Sequence, residues 1–284
     1  MQNFCTPFRN SIAQQKRQLQ EIENLMVNFI SRPDSEKTTK IQQRIEKLNE
    51  EYTRFRDEYE EKVSEVMLAW FAKSTTVGWS APEMFEIDED GMVSLRATPI
   101  DGLLEPKGYW PNLIKTVTEN LSVVITADSN IHSLNNTEEV RGTLLVRGID
   151  HFSAPSLVFV SFLNITEVDE AKFSQVKNID TLEIGSVGAV DFSHLARVHF
   201  TMNIQSLTNG IFPELVGVGK KLFFMDAWKK SRRFREVFPV LREVADAFSQ
   251  GTIEINEELD QELREEILAQ TLRVGTVTVQ AREQ

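Results

Sequence analysis

Four histidines, one cysteine and one basic run are the side chains of this 284-residue chain whose types could do chemistry. His132, His151, His194 and His199 could ligate a metal or relay a proton. None stands in a His-Glu-x-x-His pair or beside two cysteines, the spacings that hold zinc. Only stacked repeats could draw His151, His194 and His199 together; turn or surface positions are the expectation. Cys5 is the sole cysteine, so no internal disulfide can form, and a thiolate near the terminus lacks the fixed base a nucleophile needs. Neither a Gly-x-Ser-x-Gly elbow nor a phosphate-binding Gly-x-x-x-x-Gly-Lys-Ser/Thr loop occurs. Gly185–Val190 (GSVGAV) has the glycines of a nucleotide loop. It follows a β-rich run and opens no long helix, so it reads as a repeat turn.

Glu86, Asp88, Asp90 and Gly91 fall on the first, third, fifth and sixth positions of a calcium loop. The twelfth position is Ala97, where the bidentate Glu is required. The flanks, Met84–Ile87 and Met92–Arg96, alternate like strands, so the segment reads as a β-hairpin turn. No catalytic, cofactor-binding or metal-ligating residue is expected, and no cofactor.

The basic run is the strongest local anomaly. Lys220, Lys221, Lys229, Lys230, Arg232, Arg233 and Arg235 stand against Asp226, with Phe223, Phe224, Trp228 and Phe234 interleaved. Such a run can be a solvated or self-paired face, dock an acidic protein, or track nucleic acid with aromatic stacking. Partner-binding residues are therefore sought at Lys220, Lys221, Trp228, Lys229, Lys230, Arg232, Arg233 and Arg235. Overall the chain carries 31 Lys and Arg against 43 Asp and Glu, a net charge of -12 that repels polyanions in general. A protein partner is the first expectation and nucleic acid the lesser one.

The elements that must position these residues differ along the chain. Residues 1–79 hold 12 basic and 12 acidic groups. From Ile12 the apolar residues Leu19, Ile22, Met26 and Phe29 follow at steps of 7, 3, 4 and 3, a heptad seam. Pro33 interrupts it, Asp34 or Ser35 can cap a new helix, and the seam resumes through Ile41, Ile45, Leu48, Tyr52, Phe55, Tyr59 and Val66. This predicts an antiparallel helical hairpin that either caps its own chain or joins copies through residues 11–70. Residues 80–117 read as the β-hairpin and an irregular capping linker that brings Trp110 onto the next domain.

From residue 118 short β-rich runs recur at intervals of about 20 residues, starting at Leu121, Thr143, Phe159, Thr181, Val198 and Lys221. Further runs start at Thr252 and Thr276. Several units share one plan: a strand, an apolar residue (Val168, Val187, Leu207), a Phe (Phe173, Phe192, Phe212), Leu or Val three residues on, and a closing Val or Ile. One unit cannot bury these residues alone, whereas stacked units pool them and pair their strands in parallel. Gly185, Asn203 and Asn209 are expected as turn residues. In FPELVGVGKKLFFMD, Pro213 turns the chain, Leu215 and Val218 point inward, Gly217 and Gly219 turn again, and Leu222–Phe224 form the next strand.

The phrasing FPELVGVG before a strand and RGTLLVRGID after one resembles bacterial leucine-rich-repeat-like proteins and receptor L-domain solenoids over residues 118–255. The repeat's usual Leu-x-x-Leu-x-Leu-x-x-Asn core is only partly met, with aromatics at Leu positions and few ladder asparagines. The resemblance implies a curved parallel sheet used as an interaction surface, and it carries over no catalytic residue. Residues 229–251 read as one or two helical turns or a helix, with Phe234, Val237, Phe238, Leu241, Val244 and Phe248 on one face. Asn256 caps a second amphipathic helix through Leu268, and Thr276–Gln280 closes the solenoid as a strand.

The fold class expected is thus α+β: a helical coiled-coil hairpin (1–79), a β-hairpin linker (80–117), and a leucine-rich-repeat-like solenoid with a C-terminal helical cap (118–284). The function expected is a non-catalytic protein-interaction scaffold, with nucleic-acid binding through 220–235 or a rigid spacer as alternatives. No apolar run approaches the roughly 18 residues of a membrane span or the core of a secretory signal, so a cytoplasmic setting without membrane contact is expected.

Overall fold

The computed structural model describes residues 5–29, 35–77, 84–96, 101–224, 234–244, 251–256, 265, 273–274 and 276–280. The chain divides into two compact units. One comprises Met1–Ala72 with Ile87–Val93, the other Lys73–Glu86 with Ser94–Gln284.

The first unit contains helices α1 (Cys5–Phe29) and α2 (Ser35–Phe71), which touch one another. Glu, Lys, Arg and Gln fill the positions between the apolar stripe, and these unbranched side chains lose little freedom in a helix. Leu19, Ile22 and Met26 on α1, and Ile41, Ile45, Leu48, Tyr52 and Phe55 on α2, are half-buried. Further along α2 the stripe is enclosed, with Tyr59, Val63, Met67 and Trp70 fully buried. The Tyr59 hydroxyl donates to the Gly91 carbonyl at 2.6 Å. Gly91 has φ +74°, and a Cβ there would sit 2.7 Å from the Tyr59 ring, so this turn requires glycine twice over. The Asp88 carboxylate accepts from the backbone N–H of Asp90 at 2.9 Å and Met92 at 2.8 Å. The acidic loop thus engages its Asp88 carboxylate in its own turn, an Asx-type arrangement.

The second unit is built on one sheet of 16 described strands. At the N-terminal side lie β1 (Thr75–Val77), β2 (Phe85–Ile87), β3 (Val93–Leu95), β4 (Gly102–Glu105), β5 (Ile114–Val117) and β6 (Leu121–Thr126). Four long strands follow: β7 (Glu139–Ser153), β8 (Phe159–Lys172), β9 (Asn178–Asp191) and β10 (Arg197–Ile211). The series ends with β11 (Gly217–Val218), β12 (Lys221–Phe224), β13 (Glu243–Val244), β14 (Thr252–Asn256), β15 (Arg273–Val274) and β16 (Thr276–Gln280). Parallel pairing starts at β4, which lies beside β6, and at β5, which lies beside β7. It continues from rung to rung, giving a parallel β-solenoid of about six turns. Trp110, expected in an irregular linker, is buried between these early rungs. Its indole N–H donates to Thr137 Oγ1 at 2.9 Å, and that hydroxyl donates to the Ile114 carbonyl at 2.9 Å.

Register explains the repeat. Val140, Val160, Ile179, Val198, Val218 and Val244 form one inward column. Leu144, Leu163, Leu182, Met202, Leu222 and Ile253 form a second, and every member of both is fully buried. Phe152, Phe173, Phe192, Phe212 and Phe238 make a continuous ring stack, with centroids 5.8, 5.3, 5.7 and 5.2 Å apart. Identical residue types meet because one rung is the next rung's only neighbour on each side.

Several local expectations change. Gly185–Val190, Asn203 and Asn209 are not turns but lie inside β9 and β10, strands of 14 and 15 residues whose outward–inward alternation slips at a few positions, Gly185 among them, without ending the strand. Gly217 is likewise a strand residue. Of the one or two helical turns or helix expected over 229–251, the described residues hold the single turn α3 (Phe234–Val237). Phe238-Pro239-Val240-Leu241-Arg242-Glu243-Val244 instead repeats the Phe-Pro-x-Leu-x-x-Val of Phe212–Val218, and β13 pairs with β11. Apolar residues three apart suit a helix face and a rung corner equally; the Phe212–Phe238 stack and Pro239 decide for the rung. The second amphipathic helix, after Asn256, lies outside the described residues apart from Glu265. Thr276–Gln280 is the strand expected, parallel to β14.

Candidate functional site

On the outward side of the long strands two columns run across five rungs. One is Thr143, Phe162, Thr181, Thr201 and Lys221; the other is Leu145, Asn164, Glu183, Asn203 and Phe223. All ten are half-buried, as the alternation of a strand requires when its other face holds the core. The Asn164 amide donates to Glu183 at 2.7 Å and the Thr166 hydroxyl donates to Asn164 Oδ1 at 2.8 Å, so these polar groups are held in place. Asn203 Oδ1 is a buried acceptor with no protein donor among the described residues. The result is a two-column strip of aromatic, amide and hydroxyl groups with fixed spacing.

A hollow of about 410 Å³ lies further along the same strands. Ala189 sits between Glu170 and Asn209 in register, with Asp191, Gly210 and the half-exposed Ile211 beside them. Glu170 accepts from Lys172 at 3.0 Å and from His151 Nδ1 at 3.3 Å. Lys172 chiefly, and His151 less, hold the Glu170 carboxyl below its usual range. Asp191 accepts from the Ser193 N–H at 3.0 Å and from the Ser193 hydroxyl. Both carboxylates are thus engaged by neighbours. The register sets Glu170 and Ala189, not a second histidine, beside His151, while His132, His194 and His199 are exposed. Among the described residues no group of three or more His, Cys, Asp or Glu is placed to hold a metal ion.

Of the basic residues singled out, Lys220 and Lys221 are described. Lys220 Nζ stands 4.8 Å above the Phe200 ring, which is 45% exposed, and Lys221 Nζ 5.1 Å above Phe223. Each ammonium meets the negative face of an aromatic ring. Trp228, Lys229, Lys230, Arg232 and Arg233 lie outside the described residues, as does the side chain of Arg235. The sequence reading missed the outward strip. It is legible only once rungs are aligned, because Thr143, Thr181 and Thr201 become a column through register alone. No helix among the described residues is long and apolar enough to cross a membrane. No family model, curated protein or solved structure matches the chain.

Proposed function

We propose that this protein is a non-catalytic interaction scaffold. Its solenoid sheet receives a protein partner, and its helical segment acts as a coiled-coil hairpin for assembly or docking in the cytoplasm. In this reading the solenoid is a divergent leucine-rich-repeat-like or L-domain-like array. The observation that carries the reading is the ordered outward strip from Thr143 and Leu145 to Lys221 and Phe223. It offers aromatic anchors at Phe162 and Phe223 beside the Asn164 amide, whose partners are fixed, the composition of a protein-binding surface. The engaged carboxylates of the hollow support binding over acid–base chemistry, since a general base must be free to take a proton.

The test is a pair of strip variants, Phe162→Glu and Phe223→Glu, against Val216→Glu, a control at an exposed position off the strip. A partner captured by the full chain should be lost by the strip variants and kept by the control; equal loss in all three overturns the binding face. Light scattering of the full chain and of Leu48→Glu tests the helical segment. A mass that does not fall on Leu48→Glu removes the coil from assembly.

A second reading is nucleic-acid binding through Lys220–Arg235, favoured by the exposed Lys220 at the head of the basic run. It requires affinity that falls steeply with salt and drops when Arg232, Arg233 and Arg235 are replaced by Ala together. The lysines cover ring faces that bases would need, which ranks this reading second.

A further inference from the structure

A protein docked on the outward strip takes the strip's polar groups out of water, and each then needs a partner within the interface. The strip holds two charges, Glu183 at its centre and Lys221 at its end. Lys221 is seated over the Phe223 ring. Glu183 is placed differently. Its Oε2 accepts from the Asn164 amide at 2.7 Å, and Asn164 Oδ1 accepts from the Thr166 hydroxyl at 2.8 Å. This relay of neutral groups fixes the direction of a half-buried carboxylate. Among the described residues no Lys, Arg or His pairs with it, and its Oε1 accepts no hydrogen bond.

The surroundings specify what is missing. In register Glu183 stands between Asn164 and Asn203, with Thr181 two residues before it, and all three are neutral. Asn203 Oδ1 is a second acceptor without a donor. Phe162 lies beside Thr181 in register, which makes it a diagonal neighbour of Glu183 within reach of a long side chain. A covering surface that set an apolar group or a carboxylate here would bury an uncompensated charge, the mismatch an interface tolerates least. The group required is a cation that only donates. A guanidinium carries five N–H donors and no acceptor, forks onto a carboxylate and lays its flat face on an aromatic ring. An ammonium is more strongly hydrated and has no such face.

We infer that Glu183 determines the specificity of the strip, receiving an arginine side chain of the protein partner against the Phe162 ring. This rests on the strip being the binding face and names the chemistry of what it binds. The selection is opposite in sign to that of the basic run at Lys220–Arg235, which would draw an acidic segment.

The test is an NMR titration of the isotope-labelled full chain with N-acetyl-arginine methylamide, and in parallel with N-acetyl-citrulline methylamide. Citrulline keeps the plane of the arginine head and lacks its charge. The readouts are the Asn164 side-chain amide, the Glu183 carboxyl carbon and the Phe162 ring, with the exposed Glu214 as a carboxylate off the strip. At low salt, where ion pairing is least screened, arginine should shift the three strip signals at least threefold more per unit concentration than citrulline does. The Glu183 carbon should also move at least threefold more than that of Glu214. Glu183→Gln leaves the Asn164 amide an acceptor and should lower the arginine response at Asn164 and Phe162 at least threefold; an unchanged urea midpoint shows that this variant is folded. Equal responses to arginine and citrulline, equal movement at Glu183 and Glu214, or a response that survives Glu183→Gln overturns the inference. So does the absence of any shift at the strip. Failure of the strip as a binding face would appear elsewhere, as a partner retained by Phe162→Glu and Phe223→Glu, and would leave this titration unchanged.

Discussion

Phe192→Ala is the sharpest probe of how the solenoid holds together. Phe192 is fully buried and stacks on Phe173 at 5.3 Å and 15° and on Phe212 at 5.7 Å and 20°. Truncating a core Phe costs about 3–5 kcal/mol, and each lost ring pair adds about 0.5–1.5 kcal/mol. Losing both neighbours at once places the expected loss near the top of that range, about 5 kcal/mol. Whole-domain stabilities are about 5–15 kcal/mol, so the variant should be close to unfolding at room temperature. The solenoid itself shows how such a gap can be filled. Ala154 occupies the Phe position of its own rung, yet the stack is unbroken because Phe152, two residues earlier, reaches Phe173 at 5.8 Å. Val190 stands in register with Phe152 through Ala171. Val190→Phe added to Phe192→Ala should therefore recover at least about 1 kcal/mol, whereas Val190→Phe alone should overpack and cost about 1–3 kcal/mol. Urea denaturation of the full chain, read by far-ultraviolet circular dichroism, measures all three variants. A loss below about 2 kcal/mol for Phe192→Ala, or no recovery in the double variant, would refute the claim that the ring stack is a principal support.

Four further outcomes follow from local geometry. Gly219→Ala should cost about 3 kcal/mol in the same titration, because its Cβ would sit 1.8 Å from the His199 carbonyl oxygen. Gly108→Ala, at φ +84° with open space around it, should cost only about 1–2 kcal/mol. Tyr59→Phe should lower stability by about 1–2 kcal/mol, since it leaves the Gly91 carbonyl without its donor; a neutral result would show that water replaces the hydroxyl. By carbon-detected NMR the Glu170 carboxyl should titrate below the usual Glu range and move back towards it in Lys172→Ala, with His151 still holding it down in part. Its folded value is depressed, so its contribution to stability is present above the unfolded value and is lost as pH falls through the folded one.

The sequence by itself determined the helices, the solenoid and its period. Heptad steps from Leu19 to Phe55 and a Phe-x-x-Leu-x-x-Val unit about every 20 residues are patterns only those architectures can bury. It was silent or misleading where one spacing serves two structures. Phe238, Leu241 and Val244 sit three residues apart, which is a helix face in isolation and a rung corner once Phe212 lies 5.2 Å away. Gly185, Asn203 and Asn209 carry turn-forming residue types, yet β9 and β10 run straight through them, Gly185 and Asn203 between strands on both sides and Asn209 paired with Ala189 on β9. Only the tertiary structure decided which side chains share a column. The strip at Thr143, Phe162, Thr181 and Thr201, the passage of Arg197 over Gly217 to Glu243 at 2.6 Å, and the seating of Lys220 on Phe200 all join residues about 19 to 46 positions apart. The physical reason is register: the period along the chain is written locally, but which residue faces which is settled by strands from different rungs hydrogen-bonding in one alignment that keeps every apolar column inside.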